Sequence, residues 1–341
     1  MPKKGKKSVG VARQWCGRLG KVDNCQTGVY ASLVHSTSAT IIDCRLYLPK
    51  EWTGDRHRCK AAGVPKDVTF KTKSQLALDI VHHARSNGLR YAWVGVDGGY
   101  GKEPLLLKAF YDEGEQFVAD VHKYQSFYLE DPCPYNPDRH SAKGRTPSRY
   151  KTESTRMVVE QWAASQPEGA WQRISPATPP KDGWRWISSP SESGFGLTKN
   201  SPSASGILWS GERLMPKKLK DSLSNAPAET ITERLASMQG QRYFVELKQQ
   251  PGWIITRFEA GVPGTHHMAM VMMSMLFLLK TRREQDETHP LLSCPGIVGL
   301  LAYFFPRRDI TPEEVLRQME VRHRQRKASI DSAYRRQAAD G

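Results

Sequence analysis

Between residues 24 and 121 short β-branched or aromatic runs alternate with segments of helical period, and this alternation constrains the fold more than any other feature. Residues 24–35 (NCQTGVYASLVH) and 39–48 (ATIIDCRLYL) read as two antiparallel strands joined across a Ser/Thr-containing break. Ser74 then caps an expected helix whose Leu76, Ile80, Val81 and Ala84 share one face, and Gly88 stops it. Residues 91–96 (YAWVGV) predict a buried strand ending at Asp97, with Gly98 and Gly99 following. A helix is expected over 104–111 and a further strand over 116–121 (QFVADV). Two strands, helix, strand, helix, strand is the order of an α/β layer.

Beyond residue 130 the pattern changes. Residues 131–150 (DPCPYNPDRHSAKGRTPSRY) are rich in proline and basic residues and read as an exposed linker. A helix is expected over 153–165. Residues 174–222 show no period, and Ser, Pro and Gly crowd them, which makes them poor folding material. Helical patterns return at 230–246, 266–281, 291–304 and 311–336, the last opened by Thr311 as a cap with Glu313 and Glu314 in its first turn. The expected organisation is an α/β part over 1–130, a linker and poorly formed insertion over 131–222, and a helical part over 223–341. The apolar run 268–279 is too short to cross a bilayer and reads as a buried helix, with Met268, Met270, Met272, Met273 and Met275 in the core.

Charge narrows the partners. Fifty Lys and Arg against 35 Asp and Glu leave a net charge of +15, a field that attracts polyanions. Nucleic acid is the expected partner; a basic protein without one is the plainer alternative. Cysteines 16, 25, 44, 59, 133 and 294 show no CxxC spacing, which excludes a zinc site or a disulfide framework as an organising feature. Scattered thiols fit a reducing cytoplasm, and no apolar segment of signal length follows MPKKGKK. A soluble, cytoplasmic protein with no membrane partner is expected. Lys143, Arg145, Arg149 and Lys151 form a basic loop suited to DNA phosphates. The last helix carries Arg322, Arg324 and Arg326, which either face solvent or lie against phosphates.

Two carboxylates stand out as candidate chemistry. An apolar strand delivers Asp97 to a sheet edge, and the two glycines after it leave the approach open to a phosphate backbone; an Asp before Gly-Gly is also an ordinary turn former. Glu246 follows Arg242 by four residues in RLASMQGQRYFVEL, which sets both on one helical face, as a surface ion pair also would. Asp120 lies on the next strand, in a structural role or near the same site. His266 and His267 are adjacent on a helix and so point apart, which argues against a metal pair.

The strings SVGVARQWCGRLGKVDNCQ, RLYLPKEWTGDRHRCKAAGVP, FKTKSQLAL, DGGYG at Asp97, DSLSNAPAET, RLASMQGQRYFVE and RQMEVRHRQRKASIDSAYRRQ resemble, in the same order and over most of the chain, the IS701-type transposases of bacterial insertion sequences, members of the DDE superfamily. The resemblance implies a ribonuclease-H-like fold with an insertion before the last acid. It also implies an Asp-Asp-Glu triad holding two divalent ions, Mg²⁺ or Mn²⁺, for DNA cleavage and strand transfer. On that resemblance Asp97 stands at the second Asp and Glu246 at the Glu, both as metal ligands, while Arg242 matches the Arg before that Glu and contacts phosphate. Insertion-sequence ends and target DNA are the implied partners, and a homo-oligomer is open.

The chain departs from the family in three places. The family's first Asp sits on the first, central strand, a few residues before the segment that here begins PKKGKKS. The expectation is therefore an N-terminally truncated chain, an α/β, ribonuclease-H-like mixed sheet lacking its first strand, with a poorly formed insertion and a helical C-terminus. Asp23, expected in a turn, and Asp43, expected in a paired strand, do not match the lost position. GILWSGER at 206–213 can be written as the next-frame reading of codons for WHSVVRRE, similar to the family's WHLIVRRE, and IITRFEAG at 254–261 as an off-frame reading of a stretch that would encode DYHAFRGW. Compensated frameshifts are expected near 175–213 and 247–264, and Trp253 takes the place of the lysine that follows the family's Glu. The functional expectation is a transposase remnant that is inactive alone. The alternatives are a non-catalytic DNA-binding protein or inhibitor of an intact transposase, and a product without a role.

Overall fold

The computed structural model describes residues 2–35, 38–129, 132–133, 135, 137, 151–167, 172–174, 186–188, 192–195, 204–212, 219–226, 262–304 and 311–338. Four strands come first: β1 (Ala12–Cys16), β2 (Lys21–Cys25), β3 (Gly28–His35) and β4 (Ser38–Leu46). Short helices α1 (Lys50–Thr53) and α2 (Arg56–Ala61) precede the longer α3 (Lys73–Ser86). Then come β5 (Val94–Val96), α4 (Gly98–Gly101), α5 (Pro104–Asp112) and β6 (Phe117–Val121). After β7 (Ser126–Phe127), β8 (Met157–Val158) and α6 (Val159–Ser165) follow β9 (Gln172–Ile174), β10 (Trp186–Ser188), β11 (Glu192–Phe195), β12 (Ala204–Glu212) and β13 (Leu219–Ser224). Helix α7 (Val262–Glu284) ends a first compact unit, Met1–Glu284; a second, Gln285–Gly341, holds α8 (Cys294–Phe304) and α9 (Pro312–Gln337).

The alternation over residues 24–121 appears as expected, and the pairing adds detail. β3 and β4 form an antiparallel pair by themselves, as β1 and β2 do. β5 and β6 are parallel, joined through α4 and α5, and sit at one end of a five-stranded sheet of order β11-β12-β13-β6-β5. Being the end strand, β5 is half-exposed and begins only at Val94, where the sequence predicts a buried strand from residue 91. Helix α5 starts with Pro104, whose missing N–H costs nothing in a first turn, and lays Leu106, Leu107 and Phe110 over Phe117, Ala119 and Val121 of β6. Leu223 of β13, Phe127 and Trp162 complete this core.

Helix α3 ties the β3–β4 pair to α5. Its cap is Thr72 rather than Ser74: Thr72 Oγ1 accepts from Gln75 N at 3.2 Å and Thr72 N donates to Gln75 Oε1 at 2.8 Å, a complete capping box. Near its far end, His83 Nδ1 lies 2.8 Å from Asp43 Oδ2 on β4, and His82 Nε2 lies 2.9 Å from the Glu113 carboxylate after α5. Arg85 pairs with the buried Glu115, which also accepts from Tyr91 Oη at 2.6 Å.

Three further readings change. The helix expected over 153–165 starts only at Val159, after the β8 strand. Residues 174–222 show no period, yet β13 pairs with β6 inside the main sheet, Ser222 opposite Asp120 and Ser224 opposite Val118. Only part of the methionine stripe is core. Met268 and Met275 are buried, with Val271 and Met275 packing on Ile41 of β4, whereas Met270 and Met273 point to the exposed side of α7. The helix expected over 230–246 lies outside the described residues.

Candidate active site

The parallel pair β5–β6 ends in a cluster of polar groups. Val96 is opposite Ala119, so the next step along each strand puts Asp97 level with Asp120 at the C-terminal end of the pair, where ligands of open α/β sheets bind. Asp97 is exposed and extended at φ −76°, ψ 170°, and it caps α4. Its Oδ1 accepts from Gly99 N at 2.9 Å, and its carbonyl accepts from Tyr100 N and Gly101 N at 2.9 and 2.8 Å. The glycines that follow have separate reasons. A Cβ on Gly101 would stand 1.9 Å from the Asp120 carbonyl oxygen, so only glycine lets α4 close onto β6. A Cβ on Gly98 would meet the His122 ring at 3.4 Å.

The neighbours of Asp97 set its surroundings. Burial first, and the Asp97 carboxylate second, push the Tyr100 phenol up to about 12. Asp120 Oδ1 accepts from the buried Ser222 Oγ at 3.1 Å, which fixes that carboxylate to β13. His122, the first residue past β6, is exposed beside Gly98. Its side chain has no hydrogen-bond partner among the described residues, whereas His82 and His83 each face a carboxylate. Sequence reasoning missed His122 because it comes to Gly98 through strand register, and nothing in its local string signals that.

Of the residues singled out from sequence, Asp97 stands where the apolar run placed it. Lys151 is exposed, with its backbone paired to Tyr135 at 2.9 Å in both directions. Arg322, Arg324 and Arg326 are exposed along α9. Arg242, Glu246, Lys143, Arg145 and Arg149 lie outside the described residues, as do His266 and His267 with respect to their side chains.

A divalent cation of the Mg²⁺ type needs hard oxygen ligands and keeps several waters. Asp97 suits it as one such ligand, being an exposed carboxylate on a rigid strand end. Among the described residues no three His, Cys, Asp or Glu side chains converge closely enough to hold an ion. Among the same residues no helix is long and apolar enough to cross a membrane.

A family model described as DDE superfamily endonuclease matches residues 1–178, the stretch that contains β5, β6 and Asp97. The chain belongs to the DDE superfamily endonucleases. That membership carries DNA as substrate and divalent metals as the usual helpers of cleavage. The matched stretch ends before Arg242 and Glu246. No curated protein matches the chain.

Proposed function

We propose that the chain is an IS701-type transposase that acts on the DNA ends of an insertion sequence, with Asp97 and Glu246 as metal-binding acids and Arg242 as a phosphate contact. The observation that carries this reading is Asp97, an exposed carboxylate fixed at the C-terminal end of the β5–β6 pair within the matched stretch. Mg²⁺ or Mn²⁺, when bound, would activate the attacking water and stabilise the leaving oxygen. Asp97 contributes an oxygen to hold the ion, and the strand pair fixes that oxygen in space. Gly98 and Gly99 keep side chains out of the way of an approaching phosphodiester. Lys143, Arg145, Arg149 and Lys151, with Arg322, Arg324 and Arg326, would neutralise the strand's phosphates.

The fold reading that goes with this is ribonuclease-H-like. β5 is the end strand of the sheet, and its outer edge pairs with no strand among the described residues; the resemblance calls for the strand bearing the first acid beside it. The residues that match the family's motifs supply two of its three acids. A polypeptide of this sequence, assayed alone, is thus expected to bind end DNA but to nick it orders of magnitude more slowly than a complete triad. The off-frame strings at 206–213 and 254–261 belong to the same proposal, and the nucleotide sequence of the gene tests them.

Asp97→Asn is the deciding variant, because asparagine keeps the cap of α4 and removes the charge. In plasmid nicking with Mg²⁺ or Mn²⁺, any residual activity should vanish in Asp97→Asn with the unfolding midpoint unchanged. Robust nicking that survives the substitution overturns the assignment. A second reading, a DNA-binding protein without catalysis, is favoured by the capping bond from Gly99 N, which gives Asp97 a structural use of its own. It predicts metal-independent affinity for end DNA and no metal-dependent step.

A further inference from the structure

The N-terminal segment 3–7 (KKGKK) is pinned along its backbone while the side chains of Lys4, Lys6 and Lys7 are exposed. Asn24 Nδ2 donates to the carbonyls of Lys3 and Gly5 at 2.6 and 3.0 Å, and Lys3 N donates to Asn24 O at 2.8 Å. On the other side Arg58 of α2 donates to Lys6 O at 2.9 Å, with its guanidinium carbon 3.7 Å from the centroid of the Trp52 ring. Trp52 is fully buried and donates through Nε1 to Val11 O at 2.8 Å, so the arginine that holds the segment is itself held by the core. The mainchain bonds leave Lys4, Lys6 and Lys7 exposed.

Helix α2 extends the same surface. Arg56, His57 and Lys60 are exposed on it, and Arg56 Nη1 donates to the carbonyl of Lys66, another exposed lysine, at 2.8 Å. Among the described residues Lys4, Lys6, Lys7, Arg56, Lys60 and Lys66 make no ion pair. The nearby acids are few: Asp55 is used as the cap of α2, accepting from Arg58 N at 2.8 Å, and Glu51 and Asp67 are exposed. Residues 1–70 contain 13 Lys and Arg against five Asp and Glu, so a net +8 of the chain's +15 lies in this first fifth.

We propose that this pinned basic surface, segment 3–7 together with α2, is a docking site for the phosphate backbone of duplex DNA. A solvated field of uncompensated cations set on a fixed backbone suits a polyanion of regular charge spacing, because release of condensed counterions drives the association. The surface reads no base, so it holds the duplex in place irrespective of sequence. The inference rests on the DNA-binding reading above and adds where the duplex lies.

The test is a salt series of fluorescence anisotropy with the full chain and a mixed-sequence duplex. Lys4→Gln/Lys6→Gln/Lys7→Gln should lower the slope of log K against log salt by about 2 to 3 and weaken binding at least about tenfold near physiological salt. The Lys→Arg triple should keep both, and circular dichroism should be unchanged throughout. If the parent binds duplex and the Gln triple keeps the full slope, the proposed surface is wrong while the DNA reading stands. If the parent shows no salt-dependent binding, both fall. Tighter binding to vesicles of anionic phospholipid than to duplex, lost in the Gln triple, also overturns the proposal.

Discussion

Gly101 packs so closely on β6 that its place in DGGYG is dictated by contact with the Asp120 carbonyl. Gly101→Ala forces α4 off the strand end, and a loss of about 2 to 3 kcal/mol in urea unfolding is expected, as overpacking against rigid backbone costs. A loss under about 0.5 kcal/mol, the range of ordinary surface changes, would show that α4 is not seated there. Tyr100 gives a pH signature at the same point. Its folded pKa near 12 exceeds the unfolded value of about 10, so the folded chain holds the phenolic proton more tightly. That contribution to stability is intact below about pH 10 and fades as pH rises through 12. Tyr100→Phe should flatten the stability–pH curve in this window, and parallel curves for the two proteins would contradict the buried phenol. Asp97 was legible from sequence because an uninterrupted apolar run must end where the strand meets solvent. His122 was not, since its position beside Gly98 depends on which strand β6 pairs with.

At the scale of elements, period alone found α3, α5, α7, α8 and α9, yet it misjudged faces and caps. α3 begins at Thr72 because that threonine has Gln75 three places on to close the box, a reciprocal bond that Ser74 does not make. α7 is apolar nearly all round, so periodicity could not say which stripe is buried; contact with Ile41 of β4 decides it. The two stripes should respond differently to truncation. Met268→Ala removes a fully enclosed side chain and should cost about 2 to 5 kcal/mol. Met273→Ala, on the exposed side, should stay within about 0.5 kcal/mol. Equal costs for the two, measured by denaturant unfolding, would mean that α7 presents a different face to β4.

Across the whole molecule, the sheet that carries Asp97 is continued past β6 by a strand about a hundred residues away in sequence, a long-range pairing of the kind that folds slowly. Nothing in LKDSLS advertises this. Its buried positions include serines, which the sheet accepts because Ser222 bonds Asp120 and Ser224 Oγ donates to Phe117 O at 2.7 Å. Small polar residues satisfied in this way read as surface from sequence, and so the insertion's last strand was invisible while the chain's basic field was plain. Asn225 makes the join testable. Its Oδ1 accepts from Phe117 N and its Nδ2 donates to Glu115 O, both at 2.7 Å, so it clamps the start of β6 to the end of β13. Asn225→Ala leaves a partly buried amide and a carbonyl without partners, which should cost about 1 to 3 kcal/mol each where water cannot replace the lost bond. Because Asp120 is held from the same strand, the variant should also speed amide exchange at Phe117 through Val121. Unchanged stability together with unchanged exchange would mean that β13 does not sit beside β6, and the floor beneath Asp97 would have to be built from some other part of the chain.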